Sequence, residues 1–285
     1  SDPLTPPALN PEDLLQRSAG QRPILVIGRS CPWAHRTWLV HQLRHLHNSV
    51  TLVMAQADHN AGRWALTPAW EGCDTLLELY QQCGAPPSYR ATVPVLVDPK
   101  TRTLLGNDSA PLVELLNRWP HQDSVVDLAP AEATERIQAW QQLLQPAIND
   151  GVYRCGFARN QAAYDRAEAD LFAALDAVEQ SLESNGPWLC GEALTLADVR
   201  LFPTLIRWEL VYAPLFGCSR QPLWHYPNLW KWRQRFYRLP GVADTCDGTA
   251  WRHDYFGALF PLNPSGIVPA GPDLSTLVNS TAASG

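Results

Sequence analysis

The sequence SCPWAHR at residues 30–36 follows the apolar run ILVIG at residues 24–28. The run predicts a buried strand, and the residues after it predict a helix. Pro32 suits the first helical position because it lacks an N–H group and its φ is fixed, so Cys31 takes the helix N-cap. The amide groups and the helix dipole there favour a thiolate, and comparable cysteines have pKa values of roughly 3.5–7.5. We therefore predict that Cys31 is a nucleophile.

The turn after Cys31 contains no second cysteine, because Ala34 stands where a CxxC motif would have one. A disulfide formed on Cys31 must then be resolved by an external thiol. Two alternatives for Cys31 are a buried inert thiol and a metal ligand that acts with His35. One Cys-x3-His pair is incomplete for zinc, and we expect the histidines of this helix, which we predict to run to about His47, to be exposed. We therefore predict no metal site.

Length and composition indicate a two-domain protein with a substantial core. The chain has 285 residues, of which 46% are hydrophobic and 18% charged, and its net charge is -6. The charge argues against a nucleic-acid or anionic-membrane surface. We expect a cytoplasmic protein, because no apolar run reaches the roughly 18 residues of a membrane span and the first residues lack the features of a signal peptide. The seven cysteines form no zinc-ligand spacing, and we predict that the six besides Cys31 are structural.

The first half of the chain alternates strand and helix patterns. Residues 50–54 predict a second strand, parallel to the first, and a polar loop containing Trp64 follows. A helix pattern at residues 75–80 precedes a predicted hairpin at residues 92–106, in which Pro94 opens a strand and is compatible with a cis Val93–Pro94 bond. Asp108-Ser109 then begins a predicted helix. This order, with a cysteine between the first strand and helix, is the thioredoxin arrangement.

The second half predicts helices throughout, so the fold class is α/β plus all-α. Thr195 and Asp198 form a capping-box pattern at the start of one apolar helix. The repeated prolines from residue 257 onward predict an extended tail. The predicted boundaries are an N-terminal arm at 1–20, a thioredoxin-like domain at 21–119, a linker at 120–130, an all-helical domain at 131–256 and the tail at 257–285.

A thioredoxin-like half followed by an all-helical half, with Val93-Pro94 and Asp108-Ser109 at these spacings, resembles the glutathione transferases. The blocks CPWAHR, NDGVYRCGFA and NPSGIVP, together with residues 201–212, resemble the xi class, the glutathionyl-hydroquinone reductases. In that class the cysteine, here Cys31, attacks the glutathione sulfur of an S-glutathionyl-hydroquinone. The resemblance implies that hydroquinone leaves and that a second glutathione resolves the mixed disulfide, with glutathione as co-substrate and no metal.

The resemblance also assigns the pocket. Its aromatic residues correspond to Tyr153, Tyr212 and Tyr255, whose phenols can hydrogen-bond quinol oxygens. The implied glutathione site consists of Val93, through its backbone, with Asp108 for the ammonium group, Ser109 for the carboxylate, and Trp64. Asp108 departs from the class, which usually has glutamate there, one methylene longer. The resemblance further implies a homodimer.

Two other functions are compatible with parts of the pattern. An omega-like or lambda-like cysteine transferase would reduce dehydroascorbate or small mixed disulfides, although it gives no reason for the three tyrosines to match in type and spacing. A non-catalytic binding module with this fold would have lost its nucleophile, whereas Cys31 stands in full motif context. We therefore predict reductive deglutathionylation of quinol conjugates.

Overall fold

The structure is a computed structural model that describes residues 12–13, 22–58, 63–120, 125–258 and 262–280. The chain forms two units, Ser1–Asp127 and Leu128–Gly285. The boundary falls inside the predicted linker 120–130, of which residues 121–124 lie outside the described part. The predicted arm at residues 1–20 also lies outside it, apart from residues 12 and 13. Within these ranges, no helix combines the length and the apolar character that a bilayer span requires.

The first unit is built on a six-stranded sheet. Its strands are β1 (Ile24–Gly28), β2 (Thr51–Asp58), β3 (Arg63–Trp70), β4 (Cys73–Thr75), β5 (Val95–Asp98) and β6 (Thr103–Gly106). The spatial order is β4-β3-β2-β1-β5-β6; β1 and β2 are parallel and the other neighbouring pairs are antiparallel. All five residues of the central strand β1 are buried, as expected for an apolar strand covered on both faces. The predicted thioredoxin-like arrangement is confirmed.

The prediction of a polar loop around Trp64 was wrong. Residues 63–70 form β3, which pairs with β2 in the register Ala55↔Leu66. The strand buries Trp64 and Leu66 and leaves Ala65 between them half-exposed, which is the two-residue period of a strand. The turn to β4 is made by Glu71 and Gly72, whose φ values of 45° and 83° suit a two-residue hairpin. Glu-Gly is a weaker turn signal than Asn-Gly, so the sequence pattern did not show the hairpin.

In the described residues from 22 onward, the α-helices of the first unit are α1 (Pro32–Leu43), α2 (Leu76–Gln82) and α3 (Ser109–Asn117). Each begins at a side chain that accepts a hydrogen bond from the first turn, namely Cys31, Thr75 and Asp108. Helix α1 ends four residues before His47, because His45 adopts a left-handed backbone with φ 53° and a short 3₁₀ turn, Leu46–Asn48, follows. The predicted end of this helix at His47 is therefore corrected to Leu43.

The second unit is helical in its described residues. Its α-helices are α4 (Thr134–Leu144), α5 (Gly151–Gly156), α6 (Gln161–Asn185), α7 (Leu196–Ile206), α8 (Ala213–Phe216), α9 (Pro227–Tyr237), α10 (Gly248–His253) and α11 (Leu274–Asn279). Short 3₁₀ turns lie at Ala131–Ala133, Leu223–His225 and Ala243–Thr245. Three π-helical segments interrupt the α-helices: π1 (Gln145–Asn149), π2 (Trp208–Tyr212) and π3 (Asp254–Ala258).

The predicted capping box at the start of α7 is present, with Thr195 and Asp198 bonded to each other's backbone. The Asp198 carboxylate also accepts from the Leu189 amide and the Trp232 indole, each at 2.9 Å. The predicted extended tail needs a correction, because residues 274–279 form α11. Asp273 caps this helix by accepting from the Thr276 amide, in a stretch that follows the last proline.

Candidate active site

Cys31 lies at the junction of β1 and α1, as predicted. Its amide donates to the Gly28 carbonyl at 3.0 Å, which closes the turn. The Ala34 amide points at Sγ from 3.5 Å, and Sγ donates to the Val93 carbonyl at 3.7 Å. The sulfur, on a residue that is 8% exposed, therefore faces the first turn of a helix and an extended backbone segment. None of the seven cysteines, all of which lie in described ranges, forms a disulfide.

Val93 places its peptide group beside this sulfur. The Val93–Pro94 bond is cis, and β5 begins directly after it. Pro94 has no N–H group for the sheet, which is consistent with its position ahead of the strand. The carbonyl of Val93 is within reach of Cys31, so a peptide-like ligand bound to this backbone segment would lie next to the thiol.

Trp64 contacts the end of β1, and Gly28 makes this contact possible. A Cβ atom at Gly28 would lie 2.5 Å from Trp64 Cη2 and 2.8 Å from Val93 Cγ2, both shorter than van der Waals contact. Glycine is therefore required for the indole and Val93 to approach the strand that precedes Cys31. Sequence reasoning treated Gly28 only as the end of a strand. The sequence signal for its role was a glycine that ends an apolar run, at residues 24–28.

Asp108 and Ser109 lie at the start of α3, which packs against α1. The exposed Asp108 is the N-cap, and its Oδ1 accepts from the Ala110 amide at 3.1 Å. Ser109 is buried and is the first helical residue. The helix start presents a carboxylate, a hydroxyl and the Ser109 amide, which is a suitable set for a zwitterionic ligand.

The three predicted tyrosines meet in the second unit. The hydroxyl of Tyr153 lies 2.6 Å from that of Tyr255 and 3.3 Å from that of Tyr212, and the latter two are 3.2 Å apart. These phenols, named here the tyrosine trio, form a closed triangle of hydrogen bonds. Tyr153 is half-buried, whereas Tyr212 and Tyr255 are 0% and 1% exposed.

Two members of the trio, Tyr153 and Tyr255, are protonated at neutral pH. Burial raises the pKa of Tyr153 and of Tyr255 well above 10, and the proximity of Tyr212 raises both further. A neutral phenol is a hydrogen-bond donor and a proton source. The trio can therefore act as an acid toward a ligand that reaches it.

The three π-helical segments explain how distant residues meet. Tyr212 ends π2 and Tyr255 lies in π3, while Tyr153 follows π1 by one α-helical turn. A π segment contains one extra residue per turn and so re-aims the side chains beyond it. Asn149, at the end of π1, donates to the Thr204 hydroxyl at 2.7 Å and to the Arg200 carbonyl at 3.2 Å, which fixes this segment against α7. The sequence showed only a helical period here and gave no sign of these segments.

One aromatic ring, that of Phe216, packs against all three tyrosines of the trio. The ring of Phe216 packs against Tyr153, Tyr212 and Tyr255, with centroids 5.2 to 6.1 Å apart. A Cβ atom at Gly156 would lie 2.5 Å from Phe216 Cγ, so this glycine lets the helix that carries Tyr153 approach the Phe216 ring. Phe216 and Gly156 were missed as site residues.

Of the four histidines at residues 35–47, His45 and His47 are exposed as predicted, but the other two are not. His35 and His41 are each 2% exposed, rather than exposed on a helix surface. His41 Nε2 lies 2.7 Å from the Val50 carbonyl, and burial lowers the pKa of its imidazole. Among the described residues, no three or more histidine, cysteine or acidic side chains are grouped so that they could hold a metal ion.

Comparison with known families matches both units. The family model of the glutathione S-transferase N-terminal domain matches residues 30–119, and that of the C-terminal domain matches residues 161–235. The glutathionyl-hydroquinone reductase PcpF of Sphingobium chlorophenolicum is 34% identical, over 87% of this chain and 82% of its own length. The glutathione S-transferase omega-like 2 of Schizosaccharomyces pombe is 33% identical, over 93% of this chain and 90% of its own length.

Solved structures of glutathione transferases resemble this chain as well. The glutathione-bound structure of YqjG, a glutathione transferase homolog from Escherichia coli K-12, superimposes with a TM-score of 0.81 at 32% identity, covering 89% of this chain and 86% of that one. A Xi-class transferase from Natrialba magadii gives a TM-score of 0.85 at 32% identity, with coverages of 94% and 86%. The chain therefore belongs to the Xi-class glutathione transferases, the family of the glutathionyl-hydroquinone reductases.

Proposed function

We propose that this protein catalyses the glutathione-dependent reductive deglutathionylation of S-glutathionyl-hydroquinones. The observation that carries the proposal is Cys31, a monothiol at a helix N-terminus with the Val93 backbone beside its sulfur. The tyrosine trio in the second unit supplies the neutral phenols that such a reaction needs as acids. The relatives that are named glutathionyl-hydroquinone reductases support the substrate class.

In the first half-reaction the Cys31 thiolate attacks the sulfur of the conjugate. An S–S bond forms between Sγ and the glutathione sulfur, the C–S bond breaks, and the electron pair stays on the ring carbon, which takes a proton from the trio. Hydroquinone is released, and Cys31 is left as a mixed disulfide with glutathione. In the second half-reaction a glutathione thiolate attacks the glutathione sulfur of that disulfide, which releases glutathione disulfide and restores the Cys31 thiolate.

We assign glutathione to the surface around Cys31. The peptide group of Val93 pairs with the glutathione backbone, while Asp108 binds the ammonium group and Ser109 the carboxylate of the γ-glutamyl end. The indole of Trp64, which packs on Gly28, bounds this surface. Asp108 is one methylene shorter than the glutamate usual in the family, so it reaches less far into the ligand. Solved relatives with glutathione bound support this ligand.

The proposal is tested by turnover of a glutathionyl-hydroquinone by wild type and by Cys31→Ser. We expect the serine variant to lose more than about a hundredfold in rate, because a hydroxyl cannot replace the thiolate. Cys83→Ser is the matched control in the same unit, since this half-buried thiol has a pKa raised to about 11 by burial. Equal turnover by wild type and Cys31→Ser would rule out the mechanism.

The second candidate function is that of an omega-like cysteine transferase acting on small disulfides, and omega-like relatives favour it. Tyr153→Phe separates the two functions, because disulfide reduction needs no proton on carbon. We expect this variant to slow quinol release at least about tenfold and to leave reduction of a small mixed disulfide unchanged. Tyr164→Phe, which removes a phenol bonded to the Gly217 carbonyl instead, is the control. Unchanged quinol release by Tyr153→Phe would contradict the acid role of the trio and favour the omega-like function.

We also propose a homodimer and a cytoplasmic location, as the family resemblance implies. The seven cysteines, without a disulfide among them, are consistent with a reducing compartment. Light scattering on the purified chain tests the oligomeric state, and a monomer at micromolar concentration would contradict it.

A further inference from the structure

Arg207 is a buried cation in the second unit that sequence reasoning did not single out. It is 0% exposed and caps the end of α7. Its Nη1 donates to the Pro203 carbonyl at 2.8 Å, and its own carbonyl accepts from the Val211 amide at 2.9 Å. Arg207 is therefore fixed at the point where α7 passes into π2, the segment that ends in Tyr212.

The guanidinium of Arg207 also contacts the segment that carries Tyr255. Its Cζ lies 4.2 Å from the centre of the Trp251 ring, which is the geometry of a cation–π contact. Trp251 belongs to α10 and precedes Tyr255 by one helical turn, and α10 packs against π2. One side chain thus ties together the two backbone segments that position two of the three phenols.

The charge of Arg207 acts on Tyr255. Although burial raises the pKa of Tyr255, the positive charge of Arg207 opposes that effect. The carboxylate of Glu209, on the same π segment, is bound by both Nη atoms of Arg233, at 2.6 and 3.0 Å. The thiol of Cys246 also faces Arg207, but burial raises its pKa to about 12, so it is neutral at physiological pH. Arg207 is therefore a fixed positive charge beside the acid.

We propose that Arg207 is a positioning residue for the reaction, which holds the segments of Tyr212 and Tyr255 and stabilises the negative charge left on the trio when a phenol donates its proton. This inference rests on the proposed function. When the ring carbon of the conjugate takes a phenol proton, a phenolate remains in a buried site, and water cannot solvate it. Two neighbouring hydroxyls can donate to that phenolate, and a nearby cation lowers its energy further. The phenolate is reprotonated from solvent before the next cycle.

The two half-reactions provide the test, because only the first needs an acid. Mixing reduced enzyme with glutathionyl-hydroquinone and following the Cys31 adduct by mass spectrometry reports the first half-reaction. Loading Cys31 with glutathione disulfide and adding glutathione reports the second. We expect Arg207→Met to slow the first at least about tenfold and the second less than about twofold, whereas Arg207→Lys keeps most of the rate.

Arg235→Met is the matched control. Arg235 also lies over a tryptophan, with Cζ 5.7 Å from the Trp188 ring, and also donates to a proline carbonyl, that of Pro187 at 3.0 Å. Removing it deletes the same two kinds of contact without touching π2 or π3, so both half-reactions should stay at the wild-type rate. If Arg207→Met unfolds, Arg207→Gln removes the charge and keeps a donor for Pro203. Equal slowing of both half-reactions, or Arg207→Lys as slow as Arg207→Met, would overturn the inference.

Tyrosinate absorbance against pH separates this inference from the proposed function, since it needs no substrate. Arg207→Met should move the last tyrosines to titrate to higher pH, and Arg207→Lys should leave them unchanged. An unchanged titration in Arg207→Met would refute the electrostatic role even if the reductase activity is correct. A wild type inactive on the conjugate would refute the function, while the titration would still decide whether Arg207 acts on the trio.

Discussion

At the scale of single residues, the missing side chain of Gly28 is as important as the thiol of Cys31. The glycine closes β1 one turn before the cysteine, and its Cα is where Trp64 and Val93 converge. A glutathione site formed by these residues depends on backbone approach, because Val93 contributes its peptide group rather than its side chain. A residue without functional groups therefore limits the geometry of the site.

We predict that Gly28→Ala damages this surface. The added methyl group would displace a buried indole, so we expect a loss of about 1–3 kcal/mol in the free energy of unfolding. We also expect weaker binding of glutathione, by about tenfold, since Val93 moves with it. Urea unfolding and calorimetric titration with glutathione measure the two effects.

Gly151→Ala provides the comparison for this substitution. A Cβ atom there meets its first neighbour, the Pro146 carbonyl oxygen, at an ordinary 3.5 Å, and the site is helical. We expect stability to be unchanged or slightly increased. A Gly28→Ala protein with wild-type stability and affinity would show that the indole does not need the space.

At the scale of elements, the helix starts determine the local chemistry. Asp108 caps α3 from an exposed position and Cys31 caps α1 from a buried one, whereas Asp198, the acidic partner in the capping box of α7, is completely buried. Burial raises the pKa of the Asp198 carboxyl to about 6, although four hydrogen bonds to the carboxylate oppose this. Its ionisation at neutral pH therefore costs stability in the second unit.

The raised pKa of Asp198 predicts how the stability of the second unit changes with pH. Because the folded pKa of Asp198 lies above the usual 3.8, its contribution to stability is complete below about pH 4 and is lost as pH rises through about 6. The shift corresponds to about 3 kcal/mol. We expect the difference in unfolding free energy between wild type and Asp198→Asn to shrink by up to that amount between pH 4 and pH 7, as measured by urea titrations.

Asp273→Asn is the control with the opposite sign. Hydrogen bonds from Ser275 and Thr276 lower the pKa of this exposed cap of α11, so its contribution is lost as pH falls. The stability difference caused by Asp273→Asn should therefore decrease toward low pH. A difference for Asp198→Asn that is constant or grows with pH would contradict our assignment of burial as the dominant cause.

At the scale of the whole molecule, the residues proposed for the reaction belong to both units. The first contains Cys31 and the proposed glutathione residues, and the second contains the proposed acid. The remaining thiols are poor competitors for Cys31, because burial raises the pKa of Cys73, Cys83, Cys190 and Cys246. Cys155 differs, since a hydrogen bond with Cys218 lowers its pKa, but it is only 4% exposed.

We therefore predict a single glutathione adduct. The whole chain incubated with glutathione disulfide should gain one glutathione, which peptide mapping places on Cys31, and Cys31→Ser should gain none. Cys155→Ser is the matched control and should behave as wild type. An adduct on Cys155, or several adducts, would mean that helix capping does not select the reactive thiol.

The sequence by itself determined the order of strands and helices around Cys31, the cis proline position, and the caps at Asp108 and Thr195, while its resemblance to the xi class grouped the three tyrosines. These features are local, since each depends on residues within a turn or on short recognisable blocks. Even the wrong extent of α1 is a local matter, because a left-handed His45 ends it.

Only the tertiary structure decided which of these residues touch. The hairpin after β2 that brings Trp64 to Gly28, the π segments that bring the phenols within 2.6 to 3.3 Å, and the burial of His41 and Arg207 all depend on contacts between residues far apart in the chain. A single sequence carries no record of such distances, because hydrophobic period and propensity report only what lies within one element. The thiol and the three tyrosines were visible in the sequence, whereas the triangle of phenols and the burial of Arg207 became visible through packing.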